Sequence, residues 1–250
     1  MDLQLRGTTA LVTGAGSGIG RAVALALAAE GVRLALLDRD EAGLRETAEL
    51  VNGEEERQDA LMLVADVTDE AQVAAAVGAV DRLDAVVCCA GISGPVGSGI
   101  EDVTLAQWNA VLAVNVTGPF LVLKHALPAL RAAGAASVVL ISSDSAVVAS
   151  PGMVPYCTSK AALVQFARAL SVDLAGTGIR VNTVAPSVVD TPMSRGDLGD
   201  SAFDAPGFPV QSGDEVAAHV AYLASPRSRA VNGTTVLSDF GYSARSGFPA

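Results

Sequence analysis

Thr13-Gly14-Ala15-Gly16-Ser17-Gly18-Ile19-Gly20 decides how this chain folds. A short apolar run, Thr8 to Thr13, leads into it. An Ala- and Leu-rich run of helical length, Ile19 to Glu30, leads out. A strand that turns through glycines into a helix presents backbone N–H groups to an anion. Glycine also permits a tight turn and lets a pyrophosphate come close to the main chain. The spacing is TGxxxGxG; glycines at i, i+2 and i+5 do not occur here. An ordinary glycine turn is the plain alternative, and the strand before and helix after argue against it.

Strand-like and helix-like segments alternate outward from this turn. Arg33 to Leu37, Leu61 to Ala65, Asp84 to Cys89, Ser137 to Ile141, Arg180 to Val184 and Thr234 to Leu237 read as further strands. Glu41 to Val51, Asp69 to Val80, Leu105 to Leu130, Val154 to Ala175 and Asp214 to Leu223 read as helices. Acidic residues open the Asp69 segment, which suits a helix dipole. Continuous apolar strands between helices indicate a parallel sheet covered on both faces. The expectation is an α/β fold: a doubly wound, mostly parallel sheet of about seven strands with helices on both faces. No Pro- or Ser-rich linker divides the chain, so residues 1–250 are read as a single domain. Ser187 to Gly213 breaks the regularity. It is rich in Gly, Pro and Asp, and its length suggests a substrate loop or lid.

Half of the 250 residues are hydrophobic and the mean hydropathy is +0.42, enough for a sizeable core. No apolar run is seen that approaches the ~20 residues needed to span a bilayer. The first residues lack the basic and apolar regions of a signal peptide, so the expected location is cytoplasmic. The formal net charge is 16 − 27 = −11, which argues against a nucleic-acid partner and against an anionic membrane surface. Cys88, Cys89 and Cys157 make neither a disulfide framework nor a metal-site spacing, and the adjacent Cys88 and Cys89, inside a strand-like apolar run, are read as buried, unreactive thiols. His125 and His219 stand far apart without matching partners. They leave little room for a His-based triad or a zinc site.

The second strand ends near Asp38, some 18 residues beyond Gly20. A carboxylate there is placed to bond the adenosine ribose hydroxyls, and it would repel a 2′-phosphate. This points to NAD rather than NADP. Arg39 would stack on adenine or, alternatively, serve a phosphate. Asp66-Val67 follows the third strand, where the carboxylate would meet an adenine amino group or simply open the next helix. Small residues at Ala90 and Gly91 would let a cofactor pass close to the backbone. Asn115 lies in an otherwise apolar helical run and needs hydrogen-bond partners. Finally, Tyr156 and Lys160 are four apart at the head of a helix, so they share a face. An ammonium favours phenolate and lowers a tyrosine pKa. The pair would then move a proton on or off an alcohol oxygen. Ser142, Ser143 and Ser145, at the end of a strand, are all within reach of it.

Together these motifs resemble those of the short-chain dehydrogenase/reductase family in its compact branch. The likeness is collinear over roughly residues 6 to 240: TGxxxGxG at Thr13 to Gly20, Asp66, a variant of NNAG at Cys88 to Gly91, Asn115, Ser143, and YxxxK at Tyr156 to Lys160. Ser143, 13 residues before Tyr156, has the family spacing. The resemblance implies roles. Tyr156 would be the general acid in ketone reduction and the base in alcohol oxidation. Lys160 would lower its pKa and bond the nicotinamide ribose. Ser143 would hold the substrate oxygen, and Asn115 would anchor a water that links Lys160 to solvent. Gly14, Ser17, Gly18, Ile19 and Gly20 would cradle the pyrophosphate. Ala185 to Met193 resembles PGxxxTxM, so that Pro186, Val189 and Thr191 would border the nicotinamide. The chain departs from the pattern at Cys88-Cys89, at Ser187, in a shorter helix between Asp66 and Asp84, and at Ser238-Asp239-Phe240-Gly241.

The expected activity is NAD(H)-dependent interconversion of a secondary alcohol and a ketone. The substrate is expected to be neutral and partly apolar, because the lid offers Met193, Phe203, Phe208 and Pro209 but only one cation, Arg195. The alternatives are a 3-oxoacyl or polyketide-type ketoreductase, for which NADPH would be usual, and a non-catalytic nucleotide-binding sensor. Long helices with apolar residues on more than one face suggest a homotetramer or homodimer. The tail from Tyr242 to Ala250 is a guess for a segment that closes over a neighbour's site.

Overall fold

A computed structural model describes residues 2–53, 60–204 and 208–245. Seven parallel strands form one sheet in the order β3-β2-β1-β4-β5-β6-β7. They are β1 (Thr9–Thr13), β2 (Arg33–Asp38), β3 (Leu61–Val64), β4 (Ala85–Cys88), β5 (Ala136–Ile141), β6 (Ile179–Pro186) and β7 (Thr235–Ser238). The winding reverses between β1 and β4, and α/β sheets bind ligands beyond the carboxyl ends of strands at such a point. The glycine turn after β1 and the Cys89-Ala90-Gly91 stretch after β4 both open there.

Alternation along each strand explains the two covered faces. Val12, Val87, Val139 and Val184 point to one side, where they pack with Val23 and Leu27 of α1 (Gly18–Ala29), Leu44 of α2 (Glu41–Asn52) and Val220 of α9 (Gly213–Ala224). Leu11, Val86, Val138 and Val181 point to the other. There they meet Val73 of α3 (Glu70–Val77), Leu121 and Leu130 of α5 (Gly118–Ala132) and Leu163 of α6 (Val154–Asp173). Each fully buried Leu or Val contributes about 1.5–3 kcal/mol relative to exposure, so both layers hold the sheet.

Three expectations change. The helix expected over Leu105 to Leu130 is α4 (Leu105–Leu112) and α5 joined by a π turn, Ala113–Thr117. Thr104 opens it with a capping box to Gln107. By length and composition the whole run, Leu105–Ala132, is apolar enough to cross a bilayer, contrary to the sequence reading that no such run exists. Its buried side chains, Leu121, Val122, Leu123, Ala126 and Leu130 among them, pack onto the sheet side instead. Lastly, the segment expected to be irregular holds two short helices, α7 (Pro192–Leu198) and α8 (Ser201–Asp204), and Val189 pairs with Gln211 as a parallel bridge. Part of the C-terminal tail, residues 246–250, lies outside the described residues.

Candidate active site

A cavity of about 310 Å³ runs across the carboxyl ends of β1, β2 and β4. Gly14, Ser17, Gly18, Ile19 and Gly20 form its floor, with Asp38, Arg39, Asp66 and Val67 at one end. Ala90, Gly91, Ile92 and, from the segment after β6, Thr191, Pro192 and Met193 lie at the other. Gly14 adopts φ +65°, and a Cβ there would stand 2.7 Å from the Ala90 nitrogen. The turn therefore packs directly on the end of β4. Ser17 is the N-cap of α1 but makes no side-chain cap bond, leaving the first N–H groups of that helix directed at the cavity.

The glycine turn is braced from behind. Asp38 Oδ2 accepts the Gly16 N–H at 2.9 Å. Arg21 donates to the Gly16 carbonyl at 2.6 Å and to Thr47 Oγ1 at 3.0 Å, and Thr47 donates to the Ala15 carbonyl at 2.9 Å. Arg39 reaches to 3.7 Å from Asp66 across the cavity mouth. The Asp66 carboxyl is held below its usual range by the Thr68 backbone N–H and hydroxyl, with Arg39 assisting. Asp66 thus both closes a turn into α3 and faces the cavity.

Beyond Gly91 lie the chemical groups. A Cβ on Gly91 would stand 3.4 Å from both Lys160 Nζ and Asn115 Oδ1. Lys160 is 5% exposed and donates to the Ile141 carbonyl at 3.0 Å. Its Nζ is 5.5 Å from the centre of the Tyr156 ring. Desolvation lowers the Lys160 ammonium to about 8. The same effect pushes the half-buried Tyr156 phenol up to about 12, opposed by a hydrogen bond with Ser143 and reinforced by the Asp144 and Asp197 carboxylates. A depressed tyrosine was expected from the lysine alone. Burial wins because the ammonium is itself desolvated and turned to a carbonyl.

Of the three candidate serines, Ser143 is the one that acts on the Tyr156 phenol, lowering its pKa against the effect of burial. Ser142 is buried and donates to the Lys160 carbonyl at 2.8 Å, which fastens β5 to α6. Ser145 lies against Asp144. Ser143 Oγ donates to Asp144 Oδ1 at 3.0 Å and accepts the Ser145 N–H at 3.1 Å. Burial, with Asp239 nearby, raises the Asp144 carboxyl above its ordinary value.

Asn115 sits inside the π turn and is fully buried. Its amide donates to the Ile92 carbonyl and to Ser159 Oγ, both at 2.9 Å, and Oδ1 accepts the Ile92 N–H at 2.9 Å. Both side-chain donors are therefore occupied in tying the β4 end to α6. Pro119, four residues on, has no N–H for the Asn115 carbonyl. A wide turn that frees a backbone group beside reactive side chains is a common use of π bulges.

The start of α7 lies over the same end. Thr191 caps α7 through a reciprocal bond with Ser194. Arg195 grips Asp190 with two bonds, at 2.6 and 2.8 Å, reaches Asp200 at 3.2 Å, and stacks 4.8 Å from the Phe203 ring centre. Ser93, after β4, donates to Asp197 of α7 at 2.9 Å, joining α7 to the opposite wall. Buried Gln211 bonds Ser187 Oγ at 3.2 Å and the Ser238 carbonyl at 2.6 Å. The serine at position 187 thereby ties the end of β6 to Gln211.

Comparison with known proteins agrees with this geometry. A family model described as enoyl-(acyl carrier protein) reductase matches residues 14–243. D-threitol dehydrogenase of Mycolicibacterium smegmatis is 35% identical, over 96% of this chain and 95% of its own. The crystal structure of levodione reductase superimposes with a TM-score of 0.90 at 33% identity, covering 96% of this chain and 99% of that one. The chain belongs to the short-chain dehydrogenase/reductase family. A short-chain dehydrogenase from Mycobacterium paratuberculosis, bound to NAD, matches with a TM-score of 0.86 at 30% identity, over 97% of this chain and all of that one. Membership makes this protein an oxidoreductase that acts on an alcohol or ketone of a small molecule.

Within this dehydrogenase/reductase, twelve sequence-predicted residues line the cavity: Gly14, Ser17, Gly18, Ile19, Gly20, Asp38, Arg39, Asp66, Val67, Ala90, Gly91 and Thr191. Tyr156 and Lys160 stand behind Gly91 rather than on that lining. Pro186 and Val189 are also set back. Pro186 ends β6, and Val189 is 5% exposed within the core next to the bridge to Gln211. Sequence reasoning did not single out Arg21, Thr47, Ile92, Val114 or Gln211. Their partners lie far along the chain, so no local pattern marks them. Cys88 is in the core and burial raises its thiol to about 12, while Cys89 lines the cavity with its thiol raised by the same cause.

Proposed function

We propose that this dehydrogenase/reductase interconverts a neutral, partly apolar secondary alcohol and its ketone, with NAD(H) as the partner. One observation carries the reading: Lys160, with Tyr156 beside it, stands directly behind Gly91, which lines the same cavity as Asp38. The cavity suits a dinucleotide, with helix N–H groups for a pyrophosphate and a carboxylate for ribose hydroxyls. Bound NAD would supply the hydride acceptor and NADH the donor. Tyr156 would take the alcohol proton in oxidation and return it in reduction. Lys160 holds positive charge beside the phenol. Ser143 orients the substrate oxygen, and the Asn115 carbonyl would hold a water that connects Lys160 with solvent.

Several features support a neutral substrate. Arg195, the lid cation, is already paired with Asp190 and Asp200. Asp144 and Asp197 set a negative field at Tyr156, which disfavours anions. Met193 and Phe208 are exposed on the segment we take as the lid, residues 187–213. D-threitol, named for one relative, is itself an uncharged alcohol. A similar solved structure, 3-ketoacyl-(acyl-carrier-protein) reductase from Brucella melitensis complexed with NADH, favours a second reading, reduction of a 3-oxoacyl thioester. A panel of secondary alcohols, cyclic ketones, polyols and 3-oxoacyl thioesters separates the two. Turnover restricted to the thioesters would overthrow the first.

The choice of NAD rests on Asp38, which a 2′-phosphate would have to approach. Asp38→Ala should lower kcat/KM with NADH and raise it with NADPH. The ratio should fall roughly tenfold or more, equivalent to about 1.4 kcal/mol. An unchanged ratio in steady-state assays would remove Asp38 from the specificity argument.

Association into a homodimer or homotetramer is also proposed. Leu105 on α4, Phe120 on α5 and Val172 on α6 are large apolar side chains at 73%, 48% and 73% exposure, more than the sheet-side packing requires. Native mass spectrometry should find an even multiple of 25.2 kDa. A monomer at micromolar concentration would contradict it.

A further inference from the structure

One buried amide grips the chain just ahead of the cavity-lining residues Thr191, Pro192 and Met193. Gln211 is 2% exposed. Its main chain accepts the Asp190 N–H at 2.9 Å and donates to the Val188 carbonyl at 3.0 Å, the two bonds of the parallel bridge to Val189. The Ser238 carbonyl, 2.6 Å from the side chain, only accepts, which fixes the amide nitrogen on that side. The same nitrogen gives its second hydrogen to Ser187 Oγ at 3.2 Å. Gln211 Oε1 only accepts, so Ser238 Oγ donates to it at 2.9 Å and takes the His219 Nε2–H at 3.2 Å. Both amide hydrogens and the amide oxygen are thus engaged. The anchor is firm because Ser212, the next residue, opens α9 with a capping box to Glu215, and Val216 and Val220 of that helix are fully buried in the core. Thr191 lies directly over the glycine turn: a Cβ on Gly18 would stand 3.4 Å from Thr191 Cβ and Cγ2.

We propose that Gln211 is a positioning residue for the cofactor: its clamp on residues 187–190 holds Thr191 over the glycine turn, so that this end of the cavity is shaped before NAD(H) arrives. Without the clamp the segment samples other positions, and affinity falls with the fraction of molecules that remain competent. The departure from PGxxxTxM at Ser187 then has a physical account. Its hydroxyl is the second acceptor that the amide requires, and without it a buried N–H would lack a partner. Gln211 touches neither the cavity lining nor the reacting groups; it acts through the segment it holds. The inference rests on the cavity taking NAD(H), with the nicotinamide at the end away from Asp38, as proposed above.

Gln211→Met keeps the length and bulk of the side chain and removes its hydrogen bonds to Ser187 and Ser238. The measurement is a pair of dissociation constants, NADH by fluorescence titration and AMP by calorimetry. AMP carries the adenosine end alone. Gln211→Met should weaken NADH about tenfold, as when the competent state falls to about a tenth of the population, and leave AMP within about twofold. Ser187→Ala, at the half-buried end of the network, should weaken NADH by about two- to fivefold, the worth of one hydrogen bond. It carries the test where Gln211→Met folds poorly. In the Gln211→Met background, Ser187→Ala should add nothing. A merely structural role would weaken NADH and AMP alike, and that result overturns the proposal. Wild-type NADH affinity in both variants, or full additivity of the two substitutions, overturns it as well. A wild type that does not bind NADH would instead remove the cofactor reading, and the inference with it.

Discussion

Tyr156→Phe should lower turnover in both directions by about 10²- to 10⁴-fold while leaving the fold and NAD(H) binding in place. The substitution removes one oxygen. The ring keeps its place near Lys160, 5.5 Å from Nζ, and no backbone bond depends on the phenol. Any single neutral hydrogen bond to that oxygen is worth only about 1 kcal/mol of stability. What disappears is the group proposed to exchange a proton with the substrate oxygen. Initial rates with alcohol and with ketone, alongside an NADH titration, make the comparison. Unchanged rates would end the assignment of Tyr156.

The same pair sets the pH dependence. Lys160 is lowered to about 8 by desolvation and Tyr156 is raised to about 12. The first proton therefore leaves the pair near the lower value. Oxidation needs a pair able to accept the alcohol proton, so its kcat/KM should rise with pH through about 8. Reduction needs the proton present and should fall across the same range. Lys160→Met removes the lower ionisation, so the midpoint should move upward toward that of the buried Tyr156 phenol, about 12.

Gly20→Ala carries the second large effect, on both stability and cofactor binding. An added Cβ would stand 2.0 Å from the Gly14 carbonyl oxygen and 2.6 Å from its carbon. Both are backbone atoms of the turn that closes the cavity, so no side chain can swing away. Relief requires α1 to retreat from β1, yet Val23 and Leu27 hold that helix in the core. Overpacking of this kind costs about 3 kcal/mol or more, and the retreat would carry the Gly18 to Gly20 N–H groups away from an anion. Urea unfolding should report the loss and an NADH titration should show weakened binding. Wild-type values in both would contradict the close packing of Gly20 on Gly14.

Much of this was legible in the residues because local chemistry dictated it. The turn after β1 needed glycines, the alternating Val and Leu of β1, β4 and β5 needed two apolar layers, and Asp38 stood at a strand end. The π turn at 113–117 was not legible. Ala113, Val114, Val116 and Thr117 suit an ordinary helix, and only Pro119, which withholds an N–H from Asn115, hints at the interruption. The two helices of the lid were hidden for another reason. They are four and seven residues long, too short for an apolar period to declare itself. The partition among Ser142, Ser143 and Ser145 depended on which way each hydroxyl turned across the gap from β5 to α6, which spacing alone leaves open. The direction of the Tyr156 shift was misjudged because i, i+4 proximity shows a charge and not its desolvation.

The central claim is hydride exchange between a neutral secondary alcohol and NAD at this site. Its most direct test is label transfer: the enzyme is incubated with NAD and an alcohol deuterated at the carbinol carbon, and the NADH formed is examined by mass spectrometry. The account predicts deuterium in NADH with wild-type enzyme, little with Tyr156→Phe, and slower transfer when NADP replaces NAD. NAD bound in the cavity with no label acquired from any alcohol or polyol in the panel, or label acquired equally by the Tyr156→Phe variant, would contradict it.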